Sequence, residues 1–339
     1  MNNLSDIKKF STEEVLLLLG VNCNIKDNVI VDDICVNFNI YSSIAIISIY
    51  INDVFYKYYI KFPNEHDLVD QGISCDIENE YKILNKLNDS YILIKNLGVV
   101  KAVSFNRKYN ALITISESGG DFSYFLNIES RLGFKKKHTK ALYYCSLAGR
   151  WLREFHLVTF YGERDFNLNP IIKTCNKKLD FLLRVKSYFI TKKVRDSVIK
   201  NCLSIYNEIE CKKTPTSLRH ADFSPHNMII RGDKLTVLDF TTSHNESIYY
   251  DICNFLSSID YLMYDLRSNS KLCKKMKESF IDEYVKSFNI DNRFIKIIYY
   301  QYILINLVKT VDILKNSELN FFQEINYRYI YLRLVFSLK

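Results

Sequence analysis

The sequence predicts an α+β chain with two lobes, a small β-rich first lobe and a larger, mainly helical second lobe. Three observations carry this. β-branched and aromatic runs separated by turn residues fill the first third. Apolar residues at helical spacing dominate from Lys140 onward. Between them, Ser118-Gly119-Gly120 offers a chain reversal with two residues free to take positive φ. The division is drawn at 1–117 and 118–339.

The elements follow in order. Ile44 to Tyr50 (IAIISIY) is a β-branched run, Asn52-Asp53 a turn, and Phe55 to Phe62 (FYKYYIKF) a second strand, together a hairpin. Asp76 to Leu87 is helical, with Ile77, Tyr81, Leu84 and Leu87 on one face. Val99 to Phe105 and Ala111 to Ile115 read as strands. Lys140 to Leu157 is an amphipathic helix whose inner side is Leu142, Cys145, Leu147, Ala148, Trp151, Leu152 and Phe155. Helical patterns cover Ile171 to Ile209. A β island then intervenes: Met228 to Ile230, the turn Arg231-Gly232-Asp233, and Leu235 to Phe240. Everything from Tyr250 onward is helical.

Composition narrows the function classes. With 339 residues, 48% of them hydrophobic, the chain can bury one large or two modest cores. The nine cysteines include no C-x-x-C pair and the six histidines are dispersed, so buried thiols in a reducing compartment are expected and no zinc site is legible. The apolar run near the N-terminus is too short for a signal peptide and follows two glutamates. The late segment IIYYQYILINLV, broken by Gln301 and Asn306, reads as a buried helix. A soluble cytoplasmic protein is expected. The net charge of +8 suits a membrane-surface or anionic acceptor, but Phe134 to Lys140 (FKKKHTK) reads as a solvated face, and no nucleic-acid partner is expected.

Chemistry concentrates in RHADFSPHNMII, Arg219 to Ile230, followed by Asp239 in LTVLDF. Two strands meeting at Arg231-Gly232-Asp233 bring Asn227 and Asp239 together at their other ends. Their hard oxygens suit magnesium, which keeps waters and is shared with substrate phosphates. Asp222, on the preceding loop, lies beside that pair and suits a group that accepts a proton from an attacking hydroxyl.

His220-x-Asp222-x4-Asn227 followed by Asp239 resembles the catalytic loop and metal-binding aspartate of the aminoglycoside phosphotransferase/choline kinase family, with Ala221 where that family often has Gly. The likeness runs over roughly 35–260. Lys61 in YYIKF matches the phosphate-gripping lysine and Glu80 its helix partner, with Glu78 the competitor. ALITISESGGDF resembles the hinge, LREFH at Leu152 to His156 the end of the helix before the catalytic region, and Tyr250-Asp251-Ile252 the support of the catalytic loop. The segment Asn39-Ile40-Tyr41-Ser42-Ser43 stands where the nucleotide-covering loop belongs, without glycine. Phe240-Thr241-Thr242-Ser243 lacks the glycine of protein kinases, as is usual in small-molecule kinases.

The resemblance implies a bilobal protein-kinase-like fold and an enzyme that moves the γ-phosphate of ATP, or GTP, to a hydroxyl of a small molecule. Nucleotide contacts fall to Lys61, Glu80, Ser42, Ser43, Ser116 and Glu117, Mg2+ to Asn227 and Asp239, and the proton to Asp222. Asp251 and His220 support the loop. Sugars, amino alcohols, nucleosides, antibiotics and glycolipid head groups stay open as acceptors. The excess of Lys and Arg after Phe255 disfavours polycationic ones. Two other activities fit the same residues: a silent nucleotide-binding scaffold, and transfer of a nucleotidyl group.

Overall fold

The computed structural model describes residues 11–20, 28–38, 42–63, 76–91, 94–133, 139–185, 187 and 189–338. The chain forms two compact units, Met1–Gly120 with Asn227–Ser243, and Asp121–His226 with His244–Lys339. In chain order, the first unit holds α1 (Thr12–Leu19), β1 (Val29–Phe38), β2 (Ser42–Ile51), β3 (Val54–Pro63), α2 (Ile77–Tyr91), β4 (Leu97–Val99), β5 (Ala102–Asn106) and β6 (Ala111–Ile115), and β7 (Gly120–Asp121) leaves it. The second unit starts with α3 (Phe122–Glu129), α4 (Thr139–Val158), β8 (Gly162–Asp165), α5 (Asn169–Arg184), α6 (Lys192–Asn207) and β9 (Lys213–Arg219). The chain returns to the first unit for β10 (Met228–Arg231) and β11 (Lys234–Val237). It finishes in the second with β12 (His244–Ser247), α7 (Tyr249–Met263), α8 (Ser270–Tyr284), α9 (Asn292–Asn316) and α10 (Phe321–Phe336).

The first unit is built on a five-stranded sheet in the order β1-β2-β3-β6-β5. Its central hairpin turns on Asn52 and Asp53, at φ 49° and 62°, the pair of left-handed residues that a tight two-residue turn needs. Alternate residues Ala45, Ile47 and Ile49 of β2 and Ile60 and Phe62 of β3 point inward and are buried with Val15, Leu18 and Leu19 of α1. α1 is fixed at its start by a capping box between Ser11 and Glu14. Asn106 of β5 donates its side-chain amide to the carbonyls of Leu17 and Leu18 at the other end.

The smaller sheet, β4-β11-β10-β7, explains why 227–243 belongs here. Leu235, Thr236 and Val237 pair in parallel with Leu97, Gly98 and Val99, so the hairpin completes a sheet that β4 begins. The linear division at 117/118 does not include this return. The expected strand Val99 to Phe105 is two strands in two sheets, broken at Val100 and Lys101. The strand expected to run to Phe240 stops at Val237, because Asp239 takes φ 63°. Neither Gly119 nor Gly120 takes positive φ. Gly119 is needed for close approach instead: a Cβ there would lie 2.4 Å from Ile229 Cγ2 and 2.7 Å from the Ile230 carbonyl oxygen.

The second unit packs its helices around an aromatic core. Trp151 and Phe155 of α4 stack at 5.1 Å, Trp151 on Phe223 at 5.5 Å, and Phe255 of α7 on Phe280 of α8 at 4.2 Å. α4 lies so close to α8 that a Cβ on Gly149 would sit 2.1 Å from the Phe280 carbonyl oxygen. Beyond the apolar positions read from the sequence, His156 of α4 is fully buried, while Leu142 is only partly so. A small sheet, β12-β9-β8, leads into the loop that carries Asp222. α9 is, among the described residues, the one helix long and apolar enough by length and composition to cross a membrane. Its Phe294, Ile297, Ile298, Leu304 and Leu307 are buried within this unit.

Candidate active site

The first unit concentrates charge around Lys61. Lys61 lies on β3, opposite Ile44 and Leu112 in the neighbouring strands. Its Nζ reaches Glu80 Oε2 at 3.2 Å and Asp239 Oδ1 at 2.6 Å, and also hydrogen-bonds Thr241 Oγ1. Glu80 is buried on α2, and its Oε1 accepts from the Phe240 amide at 2.9 Å. Thr241 Oγ1 lies 2.8 Å from Glu80 Oε2 and 2.6 Å from Asp239 Oδ1. Burial alone would lower the Lys61 pKa, but the charges of Glu80 and Asp239 outweigh it and raise it above the ordinary lysine value. The competitor Glu78 faces outward and pairs with Lys82 and Arg107. Thr241 was not singled out by the sequence. Its signal was its place two residues after Asp239, where a hydroxyl can bond back to the carboxylate.

The hairpin sets Asn227 beside the end of β11. Met228 pairs with Val237, and the Leu238 amide donates to the Asn227 carbonyl at 2.9 Å. Asp239 follows at once, its carboxylate 46% exposed. Among the described residues, no group of three or more His, Cys, Asp or Glu side chains gathers to hold a metal. An Asn and an Asp offering oxygens suit only a hard cation that keeps most of its waters, which is how magnesium binds.

The remaining nucleotide candidates stand as follows. Ser43 is buried on β2, opposite Phe62. Ser42 opens that strand, opposite Pro63, and Asn39, Ile40 and Tyr41 lie outside the described residues. The Ser116 amide donates to the Lys57 carbonyl at 2.8 Å. Glu117 Oε1 accepts from Lys234 Nζ at 3.2 Å and Thr236 Oγ1 at 3.3 Å.

In the second unit, buried Asp251 grips the loop before Asp222. Its Oδ2 accepts from the His220 amide at 2.8 Å and its Oδ1 from the Ala221 amide at 3.1 Å. His156 Nε2 lies 3.2 Å from Oδ2, and its Nδ1 lies 2.6 Å from the Tyr284 hydroxyl. Burial holds the His156 pKa below its ordinary value, with Asp251 only partly offsetting it. Burial would raise the Asp251 carboxyl, but the His156 hydrogen bond and the nearby positive charges leave it below the usual carboxylate value. Ala221, where the related pattern has Gly, sits at φ 72°. The His220 ring is buried edge-on to Trp151 and Phe223.

Asp222 itself is half-exposed. Its Oδ2 lies 3.1 Å from His226 Nε2, and its Oδ1 3.4 Å from both Ser224 Oγ and Asn254 Nδ2. Burial would raise its pKa, but the hydrogen bond and charge of His226 leave it lowered, and the His226 pKa is raised in return. His226 and Asn254 were not assigned from the sequence. Asp222 opens on a cavity of about 980 Å³ walled by α7, α9 and α10 of the same unit. Its volume lies in the range of small-molecule pockets. His244 begins β12, exposed, paired with Arg219.

Residues 141–285 match the Phosphotransferase enzyme family, APH. The match includes the loop from His220 to Asn227, Asp239 and Asp251. Solved phosphotransferases share the fold across nearly the whole chain. A glucosamine kinase is 10% identical with a TM-score of 0.61, over 96% of this chain and 84% of that one. The choline kinase LicA from Streptococcus pneumoniae is 16% identical with a TM-score of 0.54, over 91% and 93%. A curated relative, "Putative serine/threonine-protein kinase 040L" of Invertebrate iridescent virus 3, is 25% identical over 158 residues. That match spans 42% of this chain and under half, 46%, of the relative. The kinase-like fold expected from the sequence is thus present, and the family match supports a phosphotransferase.

Proposed function

We propose that the chain transfers the γ-phosphate of ATP to a hydroxyl of a small molecule. One observation carries the reading: Lys61, Glu80 and Asp239 converge in one unit, while Asp222 lines a chamber in the other. A glucosamine kinase of this fold has been solved with glucosamine, ADP and inorganic phosphate, which supports a sugar-sized acceptor here.

Each residue has a separate task. Lys61, aligned by Glu80, binds the nucleotide phosphates. Asn227 and Asp239 would hold Mg2+, whose charge screens the phosphate oxygens when bound. Asp222 orients the acceptor hydroxyl. The acceptor oxygen forms a bond to the γ-phosphorus, the bond to the β,γ-bridging oxygen breaks, ADP leaves, and Asp222 takes the hydroxyl proton before passing it to water. Asn254 and His226 hold the carboxylate of Asp222 in place.

The test pairs two variants. Asp222→Asn should keep nucleotide binding and lose about two to four orders of magnitude in transfer. Asp239→Asn should weaken magnesium-dependent nucleotide binding as well as turnover, with partial rescue by added metal. The wild type at about 100 times the dissociation constant of Mg·ATP should gain roughly 2.7 kcal/mol of stability. No thermal shift with millimolar ATP or GTP and magnesium, or full transfer by both variants, removes the reading.

A further inference from the structure

The walls of the chamber in the second unit are not neutral. Two carboxylates line it, and each already has a cation. Asp222 has His226 at 3.1 Å. Asp265 has Arg267 through two contacts, Nε to Oδ1 at 2.9 Å and Nη2 to Oδ2 at 2.6 Å. Two further cations line the same chamber, Arg219 and Lys309, and neither has a carboxylate within ion-pair reach among the described residues.

These two are held in place by neutral groups. Arg219 donates to the Tyr302 hydroxyl at 3.2 Å and lies over the Tyr250 ring at 4.4 Å, while its buried Nε has no hydrogen-bond partner among the described residues. Lys309 Nζ stands 5.8 Å from the Tyr261 ring. Aromatic faces and a phenol do not neutralise a cation, so Lys309 keeps its attraction for an anion, while that of Arg219 is reduced by the charges of Asp251 and Glu246, which lie beyond ion-pair distance. Asn254, Gln301 and Asn306 add amide groups that suit hydroxyls.

We infer that the acceptor carries a phosphate group in addition to the hydroxyl that is phosphorylated. This rests on the proposed phosphotransfer and specifies its acceptor class: a phosphorylated polyol, with Arg219 and Lys309 holding its anion. A polycationic or quaternary-amine acceptor meets charge of its own sign at Lys309 and Arg219. Free sugar phosphates and phosphorylated lipid head groups share this chemistry.

The experiment measures binding and turnover separately. Glucose 6-phosphate, inositol 1-phosphate, glucose and choline are titrated into the full chain by calorimetry, and phosphatidylinositol vesicles are tested by sedimentation. ADP release is then followed with Mg·ATP. A phosphorylated probe should bind at least tenfold more tightly than glucose or choline. The soluble and vesicle arms show which source is used. Lys309 is exposed, so Lys309→Glu leaves the core intact. It should lower affinity for the phosphorylated probe at least tenfold and narrow the gap to choline. Arg219→Gln should act in the same direction. The inference is overturned if no phosphorylated probe binds, if choline or glucose binds best, or if Lys309→Glu leaves the ranking unchanged. Each of those can occur with the Mg·ATP thermal shift intact, whereas loss of that shift removes the phosphotransfer reading itself.

Discussion

Replacing Asp251 with Ala tests the support of the catalytic loop. Asp251 is fully buried and accepts from two backbone amides, those of His220 and Ala221. The methyl group of Ala accepts nothing, so both amides lose their partner, one buried and one partly buried. An unpaired buried donor costs about 1–3 kcal/mol, which gives roughly 4 kcal/mol for two. That is a large part of the 5–15 kcal/mol that typically holds a protein together. Asp251→Asn keeps one oxygen but turns an amide group toward a donor, so about 2 kcal/mol is expected. Ala221→Gly in the wild-type background should instead stabilise the loop by about 1 kcal/mol, because Ala221 holds a left-handed conformation that Gly takes freely.

The assay is built into the chain. Its single tryptophan, Trp151, is fully buried in the second unit, so fluorescence during urea unfolding reports that unit. The pH dependence follows from the sign of the shift. The folded Asp251 carboxyl titrates below its ordinary value of 3.8, so on acidification the unfolded chain takes up this proton first. The stabilisation is therefore present above pH ~4 and lost as pH falls further, and Asp251→Ala should flatten that acid limb. Should Asp251→Ala unfold within about 1 kcal/mol of wild type, the loop is held by something else and the reasoning fails.

Three other outcomes are expected. Gly149→Ala should destabilise by at least about 2 kcal/mol in the same urea titration, since its Cβ would collide with the Phe280 backbone; unchanged stability would mean α4 and α8 are not so closely packed. Glu80→Gln should weaken ATP binding about tenfold or more, whereas Glu78→Gln should change it less than twofold, because only Glu80 reaches Lys61; equal losses in a nucleotide titration would undo the assignment. His226→Leu should shift the acid limb of the pH–rate profile upward, because His226 helps keep the Asp222 carboxyl low; an unmoved limb would separate His226 from the base.

The legible part of the sequence was what repeats or clusters. The alternation around Ile44 to Phe62 and the spacing within α4 state which faces are buried, and both elements lie where expected. Glu80 could be preferred to Glu78 because it shares a face with Ile77 and Leu84, and the structure buries all three. What stayed hidden was set by distant partners. β1 has several charged and polar residues among its apolar ones, and only pairing with β2 makes it a strand. β9 begins with Lys213, Thr214 and Pro215, which carry no strand pattern of their own and become a strand by pairing with β8. The role of Gly119 depends on Ile229, more than a hundred residues further along. The chamber was equally invisible, since Asp222, Asp265 and Lys309 come from three separate regions of the chain.

The return of 227–243 to the first unit bears on how this protein can be taken apart. A protease cut between Gly120 and Asp121 would not set the N-terminal portion loose as a folded body. That portion would still depend on β10 and β11, which remain joined to the other fragment at both ends. The nicked halves should therefore co-elute under native conditions and part only in denaturant. A recombinant piece ending at Gly120 would leave β4 without the strand it pairs with, and the side-chain oxygens of Glu80 without Phe240 and Thr241. Stability screens on isolated halves would thus report an artefact of truncation, and the meaningful unit for expression is the whole chain.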